Sequence, residues 1–441
     1  MSVAGKMFRI VFTILYAFCA NGYLLAVKDV RWLFLFISCM LAVNLLSGFC
    51  DPKVKKEKLK FLNHGTDCLI EFAWSLVYSV IFHIFVIIIA PTEYRAYLFS
   101  MLFCYVSHFV LFWNGIITVY VTSLQLGVKQ RVIGAICGPI PIANLFALNK
   151  IIRVTSKEVR FEAEKELLNR KREKEKICRT KYPLLLVHGV FFRDSEKLNY
   201  WGRIPAELER NGAVLYYGDH QSALSVEKSA LEIAERVRVI VEKTGCGKLN
   251  VIAHSKGGLD TRYAISKLGI APYVASLTTI NTPHRGCNFA DHLLSKIAPS
   301  VQSTAAAAYN SAAKVLGDTE PDFMSAVKDL TASACADFDR ELTVPDSIFC
   351  RSIGSVLKKR TGGKFPLNIS YPMVKKHDGQ NDGLVSVDSF AFGSSCRILV
   401  NEGDRGISHA DMIDLNRENI DGFDVREFYV KLVADLKNRG F

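Results

Sequence analysis

Four long apolar runs occupy the first 121 residues: Ile10–Val27, Trp32–Phe49, Leu69–Ala90 and Tyr97–Val121. They limit the fold more than any other feature of the chain. Hydrocarbon offers a backbone no hydrogen-bonding partner, so a spanning segment has to close its own bonds as a helix. Each run is about long enough to cross a hydrocarbon core of roughly 30 Å. Buried core helices are the alternative, and four successive runs of this length argue against it. Residues 1–149 are therefore expected to form an all-α transmembrane bundle of four helices plus a fifth, short apolar element.

The lysines give this bundle a direction. Net charge is +12 over 441 residues, and much of the excess sits beside the apolar runs. Lys6 and Arg9 precede the first, Lys53, Lys55, Lys56, Lys58 and Lys60 separate the second from the third, and Lys129 and Arg131 follow the fourth. The alternate loops hold only Lys28, Arg31 and Arg95. Positive charge resists translocation, so both termini are expected on the cytoplasmic side of a multi-pass cell-membrane protein. A signal peptide fits poorly, because the second run follows too closely and no small-residue cleavage site stands out. Glu71 lies near the cytoplasmic end of its run and is expected to snorkel; His83 and His108 lie deeper and are expected to form interhelical hydrogen bonds.

Val132–Leu148 is apolar but short, and Pro139, Pro141 and Asn144 interrupt it. It reads as an interfacial or re-entrant element. Residues 150–181 follow with twelve basic and six acidic side chains at helical spacings, a solvated helical linker whose basic excess suits an anionic leaflet. A nucleic-acid-binding arm would interleave aromatics among these charges, and only Phe161 is present, so no nucleic-acid partner is expected. Six of the twelve cysteines lie in the apolar third; Cys178, Cys246, Cys287, Cys335, Cys350 and Cys396 lie beyond it, without metal-ligand spacing, and are expected to be reduced.

From Tyr182 the pattern becomes alternating strands and helices. Pro183–Val187, Ala213–Gly218, Lys248–Ser255 and Val274–Pro283 read as strands, with helical patterns at Tyr200–Gly212, Val226–Gly245 and after Ser255. Later strands are expected at Ser347–Gly354, Tyr371–Lys376 and Cys396–Asn401, and a last helix at Asp424–Gly440. Such alternation with short connections implies a mainly parallel sheet covered on both faces, an α/β fold over residues 182–441.

Within it, Ala253-x-Ser255-x-Gly257 stands where a strand turns sharply into a helix. A serine hydroxyl needs a neighbouring base to act as a nucleophile, and the sharp turn lifts it clear of the sheet. The order after such a serine is acid, then histidine. His284, His292, His377 and His409 follow it; His409 alone lies after the last strand and before the last helix, whereas His284 reads as structural. Asp378 and Asp382 are the candidate acids, and Asp382, in an Asn-Asp-Gly turn, is preferred. The oxyanion hole requires two N–H donors. Lys256, after the nucleophile, supplies one, and Val190, in the His188–Phe192 loop, is best placed for the other.

Taken in order, LLLVHG, AHSKGGLDTRYA, TTINTPHRGCNFAD, QNDGLVS and SHADM resemble the secreted bacterial triacylglycerol lipases of the Pseudomonas and Burkholderia type. The resemblance covers residues 182 to 441. It implies an α/β-hydrolase fold, ester hydrolysis through an acyl-enzyme, and the same Ser255, Asp382, His409 triad with Val190 and Lys256 as the oxyanion pair. It also implies a lid-like insertion at about 291–342. That family carries a structural calcium near the catalytic histidine. Asp411 matches one ligand position, but Leu415 stands where a polar ligand is expected and Ser355–Lys376 lacks the other aspartate. No cofactor is therefore expected.

The expected protein is a membrane-anchored serine hydrolase of fatty-acyl lipid esters, with its catalytic domain cytoplasmic. An acyltransferase or thioesterase would use the same triad. A catalytically silent scaffold or sensor, or a transporter built from the first third, are the readings from other classes.

Overall fold

The computed structural model describes residues 2–89, 93–138, 140, 142–190, 199–315 and 317–441, apart from the Leu293 side chain. The chain forms two compact units, Met1–Lys171 and Arg172–Phe441.

The first unit contains α1 (Val3–Ala20), α2 (Tyr23–Ala26), α3 (Val30–Leu46), α4 (Glu57–Ile89), α5 (Tyr94–Thr122), α6 (Val128–Cys137) and α7 (Ala143–Arg172). Among the described residues three helices, α1, α4 and α5, are long and apolar enough to cross a membrane; α3 is apolar and shorter, at 17 residues. Local chemistry sets these ends. Asn21 turns its amide back to the Ala17 carbonyl at 2.7 Å and to Ser79 Oγ at 2.7 Å, ending α1 inside the first apolar run. Gly48, at φ +72°, brings the chain after α3 against the backbone of His64 on α4, where a β-carbon would meet backbone at 2.7 Å. Tyr16, Phe36, Met40, Val43 and Leu111 pack the interior.

Two of the three polar residues singled out in this bundle depart from expectation, and His108 meets it. Glu71 does not snorkel: it is fully buried and accepts from Ser47 Oγ at 2.5 Å. His108 makes the interhelical contact, with Ser75 Oγ at 3.1 Å. Among the described residues the His83 ring nitrogens find no hydrogen-bond partner, and the ring packs edge-on against Tyr97.

The fifth apolar run is divided between α6 and the start of α7, where Asn144 donates to the Gly138 carbonyl at 3.0 Å; Pro139 and Pro141 lie outside the described residues. The charged stretch is not wholly a solvated linker. Most of it continues α7, and Glu158 is buried, accepting from Ser123 Oγ at 2.5 Å and the Leu124 amide at 2.9 Å.

The second unit is built on six parallel strands in the order β2-β1-β3-β4-β5-β6. In chain order its elements are β1 (Leu184–Val187), α8 (Ile204–Arg210), β2 (Leu215–Tyr217), α9 (Val226–Thr244), β3 (Leu249–His254), α10 (Lys256–Lys267) and β4 (Val274–Ile280). Then come α11 (Asn288–Lys296), α12 (Pro299–Val315), α13 (Phe323–Lys328), α14 (Ala332–Glu341), β5 (Phe349–Ser355), α15 (Leu367–Asp378), β6 (Cys396–Leu399) and α16 (Val425–Asn438). Strand residues alternate between two cores, as a period of two requires. Leu184 and Leu186 join Ile204, Leu208, Val430 and Val433 of α8 and α16. Leu185 and Val187 join Ile233, Val237 and Ile265 of α9 and α10. With both faces covered, every residue of β1, β3 and β4 is buried.

Tyr371–Lys376, expected as a strand, is part of α15. Leu367, Tyr371 and Val374 are buried at helical spacing. Pro372 stands inside this helix, and the Asn368 carbonyl that it leaves without a helical donor accepts from Arg360 Nε at 2.9 Å. The span 291–342 holds the end of α11 and all of α12, α13 and α14, a helical insertion between β4 and β5.

Candidate active site

Strand β3 is a fully buried central strand that ends at His254, and α10 starts at Lys256. One residue must make the turn, and Ser255 does so at φ +56°, ψ −132°. This left-handed backbone is costly for a residue with a β-carbon and is held by its surroundings. The Ser255 amide donates to the Ile280 carbonyl at the end of β4, 2.9 Å away. Small residues around the turn are a steric need. A β-carbon on Gly257 would lie 2.3 Å from the His188 carbonyl, and one on Gly189 would lie 2.7 Å from Ser255 Cβ. The loop after β1 therefore sits directly against the serine.

Asp382 and His409 come together as the sequence order requires. His409 Nδ1 lies 2.6 Å from Asp382 Oδ2, and the His409 amide donates to the Asp382 carbonyl at 2.9 Å. The carboxylate is fully buried, and its remaining lone pairs are filled. Asn281 Nδ2 donates to Oδ2 at 2.5 Å, and the Leu384 and Val385 amides donate to Oδ1 at 2.9 and 2.8 Å. A carboxylate so bonded fixes the imidazole with its proton on Nδ1 and leaves Nε2 free to accept one. The His409 ring lies 4.5 Å, centroid to centroid, from that of His254, the residue before Ser255.

The rejected candidates have structural duties. Asp378 caps α11 through the Asn288 and Phe289 amides at 3.0 and 2.8 Å. His284 is buried between Arg262 Nη1 at 3.2 Å and Thr279 Oγ1 at 2.9 Å, and burial holds its imidazole well below the usual histidine range. The rings of His292 on α11 and His377 on α15 pack against each other, tilted by 31°, with centroids 4.2 Å apart.

At the expected oxyanion hole, Val190 is buried and Lys256 is the first residue of α10. Phe191 and Phe192 of the expected loop lie outside the described residues. The Gly189 amide on this loop is committed to Tyr200 Oη at 3.0 Å. Tyr200 Oη also lies within hydrogen-bond distance of His254 Nδ1, at 2.7 Å. Tyr200, His254 and Asn281 support the site and were not read from the sequence. Only Asn281 left a trace there, as an asparagine ending a strand with the positive φ, +48°, that this residue type tolerates.

The donor set around Asp411 does not suit calcium. Its Oδ2 accepts from the Ser408 amide at 2.8 Å and Ser408 Oγ at 2.7 Å, and its Oδ1 accepts from Arg405 Nη2 at 3.0 Å. Arg405 Nη2 also reaches Glu418 at 2.7 Å. A guanidinium already neutralises these carboxylates beside the His409 loop, and a dication would have to displace it.

No family model matches the chain. It is 34% identical over 174 residues to a triacylglycerol lipase of Pseudarthrobacter phenanthrenivorans, covering 36% of this chain and 54% of that protein. It is equally 34% identical over 174 residues to a triacylglycerol lipase of Burkholderia plantarii, covering 36% and 48%. The chain thus spans about half the length of these curated relatives. Among solved structures, Bacillus licheniformis lipase BlEst2 in mature form aligns with a TM-score of 0.43 at 21% identity, over 58% of this chain and 92% of that one. The second unit has an α/β fold on a six-stranded parallel sheet. Its sequence is similar to the triacylglycerol lipases, and the apolar helices precede this unit in the chain.

Proposed function

We propose that the protein is a membrane-anchored serine ester hydrolase that cleaves fatty-acyl carboxylic esters of lipids. His409 Nε2 takes the Ser255 proton as the hydroxyl attacks the ester carbonyl, and Asp382 stabilises the imidazolium that forms. The oxyanion is held by the Val190 and Lys256 amides. His409 returns its proton to the leaving alcohol, and an acyl-enzyme remains on Ser255. Water, deprotonated by the same histidine, then releases the fatty acid. The observation that carries this reading is the Asp382–His409 pair, 2.6 Å apart, with every other carboxylate lone pair satisfied and the imidazole 4.5 Å from the ring of His254, the residue before the strained Ser255.

The substrate class follows from the company the hydrolase unit keeps: esters of the bilayer to which its own chain is attached. The helices of 291–342 suit a lid over an apolar acyl site. The lysine distribution supports a cytoplasmic hydrolase unit in the cell membrane. Purified full-length protein is expected to hydrolyse short- and long-chain glycerides, and Ser255→Ala to abolish it; unchanged turnover in that variant sinks the proposal. Acyl esters formed with an added alcohol, in place of free fatty acid, identify a transferase instead. Protease added to intact cells should leave the C-terminal unit uncut.

A further inference from the structure

Lys256 carries more than a backbone amide. Its side chain is 1% exposed, which is rare for lysine. Its Nζ donates to Asp260 Oδ1 at 2.7 Å, one turn along α10, and to Ser229 Oγ on α9 at 2.9 Å. Asp260 Oδ2 lies 3.9 Å from His220 Nε2. The His220 ring stacks on His188 at 3.8 Å with 10° between planes. His188 Nε2 contacts the His220 carbonyl at 3.0 Å, and its Nδ1 contacts the Gly189 carbonyl at 2.8 Å. The Gly189 carbonyl belongs to the peptide whose nitrogen is the Val190 amide. A buried row of polar groups therefore runs from Lys256 to Asp260, across a 3.9 Å approach without a hydrogen bond to His220, and through the stacked His188 to the peptide of Val190.

We infer that this row is a positioning device: Lys256, Asp260, His220 and His188 hold the two oxyanion amides in fixed register on opposite sides of Ser255. The inference rests on the hydrolase reading above. A buried ion pair usually returns little net stability, because removing both charges from water costs about as much as their attraction recovers. Holding the fold together is thus a poor account of Lys256 and Asp260. Orientation is a better one. An ammonium held by two acceptors on two helices limits rotation of the residue 256 backbone, and an amide stabilises an oxyanion only when aimed in advance. A stacked imidazole does the same for the opposite loop.

Lys256→Met alone leaves Asp260 buried without its partner and can unfold the unit. The paired variant Lys256→Met, Asp260→Leu removes both charges and keeps the volume near native. It is expected to melt within a few degrees of wild type and to keep KM for p-nitrophenyl butyrate within about twofold. Its kcat should fall about 10- to 100-fold, less than or equal to the loss of one oxyanion donor. Affinity for a trifluoromethyl ketone, which forms the tetrahedral oxyanion on Ser255, should fall by the same factor. A paired variant that melts like wild type and keeps kcat within threefold overturns the inference, as does a kcat loss with unchanged ketone affinity. Wild-type protein that neither turns over the ester nor labels at Ser255 with a fluorophosphonate removes the hydrolase reading and this one together. Wild-type turnover with an equally active paired variant removes this one alone.

Discussion

Replacing Asp382 with asparagine tests the site most severely, because the change is nearly isosteric and its consequence follows from counting hydrogens. Asp382 accepts four bonds: two backbone amides on Oδ1, and Asn281 Nδ2 and His409 Nδ1 on Oδ2. An asparagine has one accepting oxygen. If that oxygen keeps the Leu384 and Val385 amides, its NH2 faces two other donors. Asn281 relieves one clash by rotating its own amide, at the loss of its 2.7 Å bond to Ser355 Oγ. His409 relieves the other only by moving its proton from Nδ1 to Nε2, and that tautomer has no lone pair for the Ser255 proton. The fold should lose about 1–3 kcal/mol, the cost of rearranged buried hydrogen bonds. The reaction should lose far more, about 10⁴-fold in kcat, or roughly 5.4 kcal/mol of transition-state stabilisation. The assay is p-nitrophenyl butyrate hydrolysis by full-length protein in detergent, with a thermal melt on the same sample. A folded Asp382→Asn variant with kcat within tenfold of wild type would refute the assignment of this carboxylate.

Other outcomes follow from single contacts. Gly257→Val drives a β-branched side chain into the His188 carbonyl, which a bare β-carbon already meets at 2.3 Å, so the unit should lose about 1–3 kcal/mol by thermal melt and most of its turnover, whereas an unshifted melt disproves the tight approach. Excess EDTA should change neither melting temperature nor kcat, while Arg405→Gln should lower both by releasing Asp411 and the His409 loop; a chelator-sensitive wild type would reverse this reading of the Asp411 site. Burial pushes the thiols of Cys178 and Cys335 up to about 12 and that of Cys350 up to about 11, so maleimide at neutral pH should label exposed Cys396 and spare these three until the protein is unfolded. Mass-spectrometric mapping of labelled peptides reads this directly.

Much of the site was legible because local rules place it. A strand of buried aliphatics followed at once by small residues forces a turn at Ser255, and the order serine, acid, histidine left His409 as the one histidine between the last strand and the last helix. Tyr371–Lys376 misled because a short apolar stretch with a proline fits a strand as well as a helix; Leu367, outside that window, completes the helical stripe with Tyr371 and Val374. Glu71 misled for a different reason. Snorkelling follows from depth along the run, but Ser47 is brought to the carboxylate by packing of α3 on α4.

The sequence by itself determined the division of labour in this chain. Long apolar runs must become helices where the backbone has no outside partner, and alternating strands and helices must build a covered parallel sheet. It also determined the chemistry available at Ser255, Asp382 and His409, since residue type and order set what each group can donate or accept. Only the tertiary structure decided which amides and rings surround them. The Gly189 amide goes to Tyr200, Asn281 completes the Asp382 shell, and Lys256 reaches Ser229 on α9 behind the turn. These contacts join segments far apart in the chain, and their partners are chosen by strand register and helix packing, which no local spacing encodes.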